Sequence, residues 1–160
     1  MLGYDLFLTL LPVIAAAVGK PREPGTEDRD AALEIIAMER DALERGARGD
    51  VDAFIDISDP DVVYFDPSLE RRIDGLAALK EYYHKVSKPP EEELDIELIN
   101  PRVQMTGDVA VLTFNFKSTG RRTGRVQRWN CTEVFHRTAQ GWRIIQTHWS
   151  WTKPQLAAAQ

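Results

Sequence analysis

The sequence predicts a single α+β domain in which a curved, cone-shaped antiparallel sheet packs against three helices. Apolar residues recur at helical spacing up to the Lys88-Pro89-Pro90 break, and at every second position after it. Helices followed by a run of antiparallel strands give the α+β order, and the twist of such a sheet closes it around a pocket. A chain of 160 residues is long enough to bury the core of one such domain.

The first predicted helix lies between Ala31 and Ala47. Its apolar residues stand three and four positions apart, and Glu34, Glu39 and Arg40 occupy the polar positions between them. Residues suited to cap its start are Thr26, Asp28 and Asp30.

Two shorter helices are predicted to follow. Val51 to Ile57 forms one that ends at Ser58-Asp59-Pro60, and Gly75 to Lys85 forms the other. The second of these carries its apolar face at Leu76, Leu79, Tyr82 and Tyr83. Between the two helices, Val62 to Phe65 has the composition of a strand and ends at Asp66-Pro67.

Four β-rich runs after the break predict the sheet, because each is bounded by turn residues. They are Leu94 to Leu98, Val109 to Lys117, Val126 to Arg137 and Trp142 to Trp151.

Alternation along these strands divides their side chains between two faces. One face is aromatic and apolar with one carboxylate, and it includes Ile145; we expect it to line the pocket. The predicted pocket residues are Tyr64, Tyr82, Phe114, Phe116, Trp129, Cys131 and Trp149. The other face is polar, as in a wet subunit interface. The predicted interface residues are Arg128, Asn130, Thr132, His136, Gln146 and His148.

The bulk charge excludes some partners. A net charge of −5 is unsuited to nucleic acid, which requires a basic face.

A lone cysteine, Cys131, excludes an intrachain disulfide. His136 and His148 have no third ligand at metal spacing, so interface hydrogen bonding is favoured over metal binding. We expect no cofactor and no metal.

Residues 1–25 are predicted to be an apolar segment and linker, residues 26–154 one domain, and residues 155–160 a tail. The apolar run Leu6 to Val18 is too short for a stable membrane span. It is similar to a secretory signal, although no Lys or Arg precedes it. A cleaved signal implies export, and a retained helix or a mis-assigned start implies a cytoplasmic protein, so the compartment stays open.

Four segments resemble the association (hub) domain of calcium/calmodulin-dependent protein kinase II and the wider nuclear transport factor 2-like and SnoaL-like families. They are GDVDAFIDISDPDVVYFDP (Gly49 to Pro67), IDGLAALKEYY (Ile73 to Tyr83), INPRVQMTGDVAV (Ile99 to Val111) and CTEVFHRTAQGWRIIQTHWS (Cys131 to Ser150). The resemblance implies a free-standing hub-like domain with a cone-shaped, cystatin-like roll. It also implies self-association through the outer face of the sheet, at least as a homodimer.

This chain departs from the animal hub domains in its pocket. The resemblance places their pocket arginines at positions that are Phe116, Glu133 and Trp149 here. Loss of three positive charges and gain of a carboxylate disfavour an acidic ligand. We therefore expect a small apolar ligand that is neutral or cationic.

The ketosteroid isomerases belong to the same superfamily, and the resemblance implies two catalytic candidates. Their proton-shuttling aspartate falls on Asp66, and their hydrogen-bonding aspartate falls near Cys131 or Glu133. Their oxyanion tyrosine falls near Ala42, which has no hydroxyl. The alternative is structural: Asp66 caps a turn, and Glu133 pairs with Arg143 or another basic neighbour.

Two functions therefore stay open. The first, which we favour, is an oligomerising module whose pocket binds a small apolar molecule. The second is a cofactor-independent isomerase, cyclase or lyase that uses Asp66 and Glu133.

Overall fold

A computed structural model describes residues 25–88 and 90–152, which form two helices and six strands. The elements are α1 (Thr26–Ala47), β1 (Ser58–Phe65), β2 (Ile73–Asp74), α2 (Leu76–Val86), β3 (Leu94–Thr106), β4 (Val109–Gly120), β5 (Val126–Thr138) and β6 (Gly141–Trp151). The α+β class is confirmed. The expectations for the apolar run before residue 25 and for the tail after 154 lie outside the described residues.

The prediction of three helices was wrong, since residues 51–57 form consecutive turns. The Asp50 carboxylate accepts a hydrogen bond from the Asp52 N–H at 3.0 Å, which competes with helical bonding at the start of the segment. One α-turn forms, from the Asp56 N–H to the Asp52 carbonyl at 2.9 Å. Seven residues are too few for helical hydrogen bonds to offset the cost of nucleation.

The sheet has the strand order β2-β1-β6-β5-β4-β3. All neighbours pair antiparallel except β1 and β6, which run parallel. A two-residue strand, β2, was not predicted. It follows the loop after β1 and leads directly into α2, so it returns the chain to the edge of the sheet.

Two irregularities interrupt the long strands. The register shifts between Ile99 and Arg102 in β3, where Asn100 adopts a φ of 51°. It shifts again between Val134 and Phe135, opposite β6. This second bulge reverses the expected alternation in β6: Ile144 is fully buried and Ile145 is only partly buried. The expectation that Ile145 faces inward was therefore wrong, because a bulge adds one residue to one strand of a pair.

One apolar cluster joins the inner face of the sheet to both helices. Its members include Ile35 and Leu43 of α1, Leu79 of α2, Leu112 of β4 and Phe135 of β5. Along β4 and β5 the buried positions alternate with exposed or partly exposed ones, as the sequence predicted. Neither described helix is long and apolar enough to cross a membrane.

Candidate functional site

A cavity of about 360 Å³ lies between the helices and the inner face of the sheet. The C-terminal end of α1 and the turns after it form one side, and the end of β1 and part of α2 form another. The inner faces of β3 to β6 complete it. Aromatic rings dominate its wall, namely Phe54, Tyr64, Tyr83, Phe116, Trp129 and Trp149.

The structure places four of the seven predicted pocket residues in the cavity wall. These four are Tyr64, Phe116, Trp129 and Trp149. The other three, Tyr82, Phe114 and Cys131, lie behind the wall. Phe114 packs edge-on against Trp149 with ring centroids 5.6 Å apart, and Tyr82 packs against Tyr64 at 6.1 Å. Phe114 and Tyr82 therefore pack against wall residues without lining the cavity themselves.

Asp66 lies in the cavity wall directly after β1. It shares a face with Tyr64, two residues earlier, and the Tyr64 hydroxyl donates to its Oδ2 at 3.2 Å. The Ser68 N–H donates to its Oδ1 at 2.8 Å. The predicted turn-capping contact is thus present, and the same carboxyl group faces the cavity.

Tyr83 is a cavity residue that the sequence analysis did not select. It belongs to α2, and its ring meets that of Tyr64 edge-on at 5.6 Å. Burial raises the pKa of Tyr83, and the negative charges of Glu133 and Asp66 raise it further. Its hydroxyl therefore stays protonated and can donate a hydrogen bond. Spacing could have identified it, because Leu76, Leu79 and Tyr83 share one face of a helix.

Glu133 does not reach the cavity. It is completely buried, and its Oε1 accepts a hydrogen bond from the Thr147 hydroxyl at 3.1 Å. Its neighbour is a second fully buried carboxyl group, Glu39 of α1. The alternative pairing with Arg143 is also not formed, since that guanidinium donates to the Asp56 carbonyl at 2.9 Å.

The position of Glu39 corrects the sequence analysis, which assigned it to the polar face of α1. It lies four residues after the buried Ile35 and four before the buried Leu43, on the inner face of the helix. Burial of a glutamate at this spacing is unexpected, because charged side chains are almost never fully buried.

Burial favours the protonated form of the Glu39–Glu133 pair. Burial raises the pKa of both groups, and repulsion from Glu133 raises that of Glu39 further. Both Glu39 oxygens and Oε2 of Glu133 have no donor among the described residues. Two ionised carboxylates can only accept hydrogen bonds. A hydrogen bond between Glu39 and Glu133 therefore requires a proton that the two groups share.

We expect Glu39→Gln to reduce the pH dependence of stability. Because the folded-state pKa values are raised, the pair stabilises the fold most below the glutamate pKa of about 4.3, and this stabilisation is lost as pH rises. An amide N–H at position 39 can donate to Glu133 without a shared proton. At pH 8 the variant should therefore be more stable than the wild type by about 1–3 kcal/mol.

Urea unfolding between pH 5 and pH 8 measures this difference. Glu34→Gln removes a charge from an exposed position of the same helix and is the control. Parallel pH profiles for the wild type and Glu39→Gln would contradict a shared proton.

The six predicted interface residues lie on the outer face of the sheet. Arg128, Asn130, His136 and His148 are exposed, and Thr132 and Gln146 are partly buried. An amide network crosses this face: Nδ2 of Asn115 donates to Oδ1 of Asn130 at 2.8 Å. Within residues 25–88 and 90–152, no group of three His, Cys, Asp or Glu side chains is placed to hold a metal ion.

Comparison with protein families identifies the fold. The profile of the SnoaL-like domain matches residues 35–154. The chain therefore belongs to the SnoaL-like domain family. The predicted resemblance to hub domains is confirmed, because hub and association domains of calcium/calmodulin-dependent protein kinase II are among its structural neighbours.

Three relatives illustrate the range of this similarity. A candidate ketosteroid isomerase from Parabacteroides distasonis is 44% identical, with a TM-score of 0.69 over 83% of this chain and 96% of the other. The kinase II hub homology domain of Chlamydomonas reinhardtii is 26% identical, with a TM-score of 0.65 over 77% and 99%. The rabbit kinase II delta subunit is 24% identical over 130 residues, which are 76% of this chain. They are only 24% of the rabbit protein, so the chain spans about a quarter of that relative.

Proposed function

We propose that this SnoaL-like domain binds a small apolar molecule without negative charge, and that it self-associates through the outer face of its sheet. The observation that carries the binding proposal is the open cavity with an aromatic wall and a carboxyl group, Asp66, at its side. Its volume is in the range of small-molecule sites, which are mostly apolar with a few polar groups that orient the ligand.

The charges around the cavity support a ligand that is not an anion. Its ionisable lining groups include Asp50, Asp66 and Lys88. Arg45 holds Asp50 at 2.7 Å and neutralises it. Lys88 is exposed to water at the rim, whereas Asp66 is partly buried. An anion would therefore meet a carboxylate inside, and its loss of hydration would not be compensated.

The binding proposal predicts a preference between ligands of the same shape. We expect 2-acetylnaphthalene, a neutral ketone, to bind at least about tenfold more tightly than 2-naphthoate, which corresponds to about 1.4 kcal/mol. Isothermal titration calorimetry measures both affinities. Phe116→Arg adds a positive charge to the wall and should reverse the order. Equal or tighter binding of the carboxylate to the wild type would contradict the proposal.

The outer face supports self-association by its composition. Its central strands present hydroxyl and amide groups that can bond across an interface, and the exposed ring of Phe65 lies 5.4 Å from His148 at its border. Two structural neighbours, 26% and 28% identical, are a hub homology domain and a hub of calcium/calmodulin-dependent protein kinase II, and this likeness supports self-association here.

We expect Asn130→Arg to convert the assembled protein to a monomer. The substitution places a bulky charge at the centre of β5 and breaks the bonds to Asn115 and Thr152. Sedimentation equilibrium measures the mass. Thr106→Arg, at an exposed hairpin end, is the control. A wild type that sediments as a monomer would refute the self-association proposal.

A second candidate function is proton transfer without a cofactor, favoured by the hydrogen bond from the Tyr64 hydroxyl to Asp66 and by the presence of Tyr83 in the same cavity wall. A carboxylate beside O–H donors can remove a proton next to a carbonyl while a hydroxyl stabilises the developing oxyanion. Glu133 has no part in this version, since it lies outside the cavity wall.

A further inference from the structure

Asp66 and Trp149 both line the cavity, and they follow paired residues of the neighbouring strands β1 and β6. In the parallel pairing of β1 with β6, Tyr64 is opposite Thr147 and Phe65 is opposite His148. One residue further along both strands come Asp66 and Trp149. Neighbouring strands are about 4.8 Å apart, so this carboxyl group belongs to the same part of the wall as the indole.

Further rings extend the wall from Trp149 across the sheet. The centroid of Phe116 lies 6.0 Å from that of Trp149, and the centroid of Trp129 lies at 6.1 Å, both nearly perpendicular to it. Perpendicular rings cannot all stack on one flat ligand. They form adjoining sides of a concave surface, and this shape suits a rounded group.

Asp66 has no cationic partner in the part of the chain that the structure describes. Other carboxylates near the cavity do have one: Asp50 pairs with Arg45 at 2.7 Å, and Asp52 pairs with Lys80 at 3.3 Å. The contacts to Asp66 are a phenol and a peptide N–H, both neutral. A negative charge thus stands at an aromatic wall without a counterion from residues 25–88 and 90–152.

We infer that the cavity takes an organic cation, namely an alkylated ammonium group carried on an apolar body. This inference rests on the proposed ligand-binding function and narrows its ligand class. Aromatic faces attract cations electrostatically, and aromatic cages recognise quaternary ammonium groups in this way. An alkylated ammonium has few or no N–H donors, so it needs few hydrogen-bond acceptors from a wall that is mainly aromatic. Asp66 supplies the opposite charge.

The test compares two isosteric phenols, 3-hydroxyphenyltrimethylammonium and 3-tert-butylphenol, which differ in charge but hardly in shape. Affinities are measured by calorimetry at 0.15 M salt, where charges more than about 8 Å away are screened. We expect the cation to bind about tenfold more tightly. Asp66→Asn should lower that preference, because the cation loses its opposite charge and the neutral phenol does not. Asp61→Asn makes the same charge change at an exposed site outside the cavity and should keep the preference.

The outcomes separate this inference from the function on which it rests. Binding of the neutral phenol with no gain for the cation would overturn the inference and leave the binding function standing. A preference for the cation that is unchanged in Asp66→Asn would also overturn it, since the charge of Asp66 would then not be responsible. Failure of both phenols, together with failure of the naphthalene ligands, would overturn the binding function as well.

Discussion

Replacement of Trp149 by alanine is expected to lower the free energy of unfolding by about 3–5 kcal/mol. The side chain is 8% exposed and is the centre of the aromatic wall. It makes edge-to-face contacts with Phe114, Phe116 and Trp129, at centroid distances of 5.6, 6.0 and 6.1 Å. The substitution removes a ring contact from each of these three neighbours. Strand β6 cannot shift to fill the space, because it is hydrogen-bonded to β5 on one side and to β1 on the other.

The same strand offers a matched control, Trp151→Ala. Trp151 is 50% exposed, and its ring contact is a stack on Trp129 at 3.5 Å. Its loss should cost about 0.5–1.5 kcal/mol, the value of one aromatic pair. Urea unfolding of both variants at one pH gives the comparison. Equal losses for the two variants would show that the wall does not support the fold.

Asp66→Asn is expected to reduce turnover by about 10²–10⁴-fold if the domain catalyses proton transfer. The reaction to assay is isomerisation of a β,γ-unsaturated ketone, in which Asp66 removes the α proton and the same proton returns at the γ carbon. The conjugated product absorbs in the ultraviolet, so the rate is read directly. Asparagine keeps the acceptor for the Ser68 N–H, and the turn should therefore survive the change.

Two further variants test which side chains take part in this reaction. Tyr83→Phe removes a cavity hydroxyl and should slow turnover, because the oxyanion loses a donor. Glu133→Gln should leave it within about threefold of the wild type, since that side chain contacts Thr147 and Glu39 behind the wall. A wild type without turnover on such ketones, or a large loss in Glu133→Gln alone, would exclude this mechanism.

Local patterns predicted most of the fold because each depends on neighbours in sequence. Helical spacing located α1 and α2, and turn residues such as Gly107-Asp108 and Ala139 to Gly141 separated the long strands. Alternation then divided the inner face from the outer face of β4 and β5, and Tyr64, Asp66 and Trp149 reached the cavity as expected.

Features set by distant parts of the chain could not be predicted in this way. The bulge that turns Ile144 inward depends on pairing between β5 and β6, and the parallel pairing of β1 with β6 depends on the whole crossover. The partner of Glu133 was missed for a similar reason. Glu39 is buried beside Glu133, a residue of a distant strand, and the sequence of α1 alone does not indicate that neighbour.

Trp129 and Trp151, whose ring centroids lie 3.5 Å apart, also give the molecule a built-in optical reporter. Indoles stacked as closely as Trp129 and Trp151 couple their electronic transitions, and such coupling changes sign and size with the angle between the rings. A ligand that contacts Trp129 inside the cavity changes the environment of that indole, whereas Trp151 is 50% exposed to solvent. Near-ultraviolet circular dichroism can therefore follow occupancy without a label, and Trp142, buried elsewhere in the core, supplies a constant background.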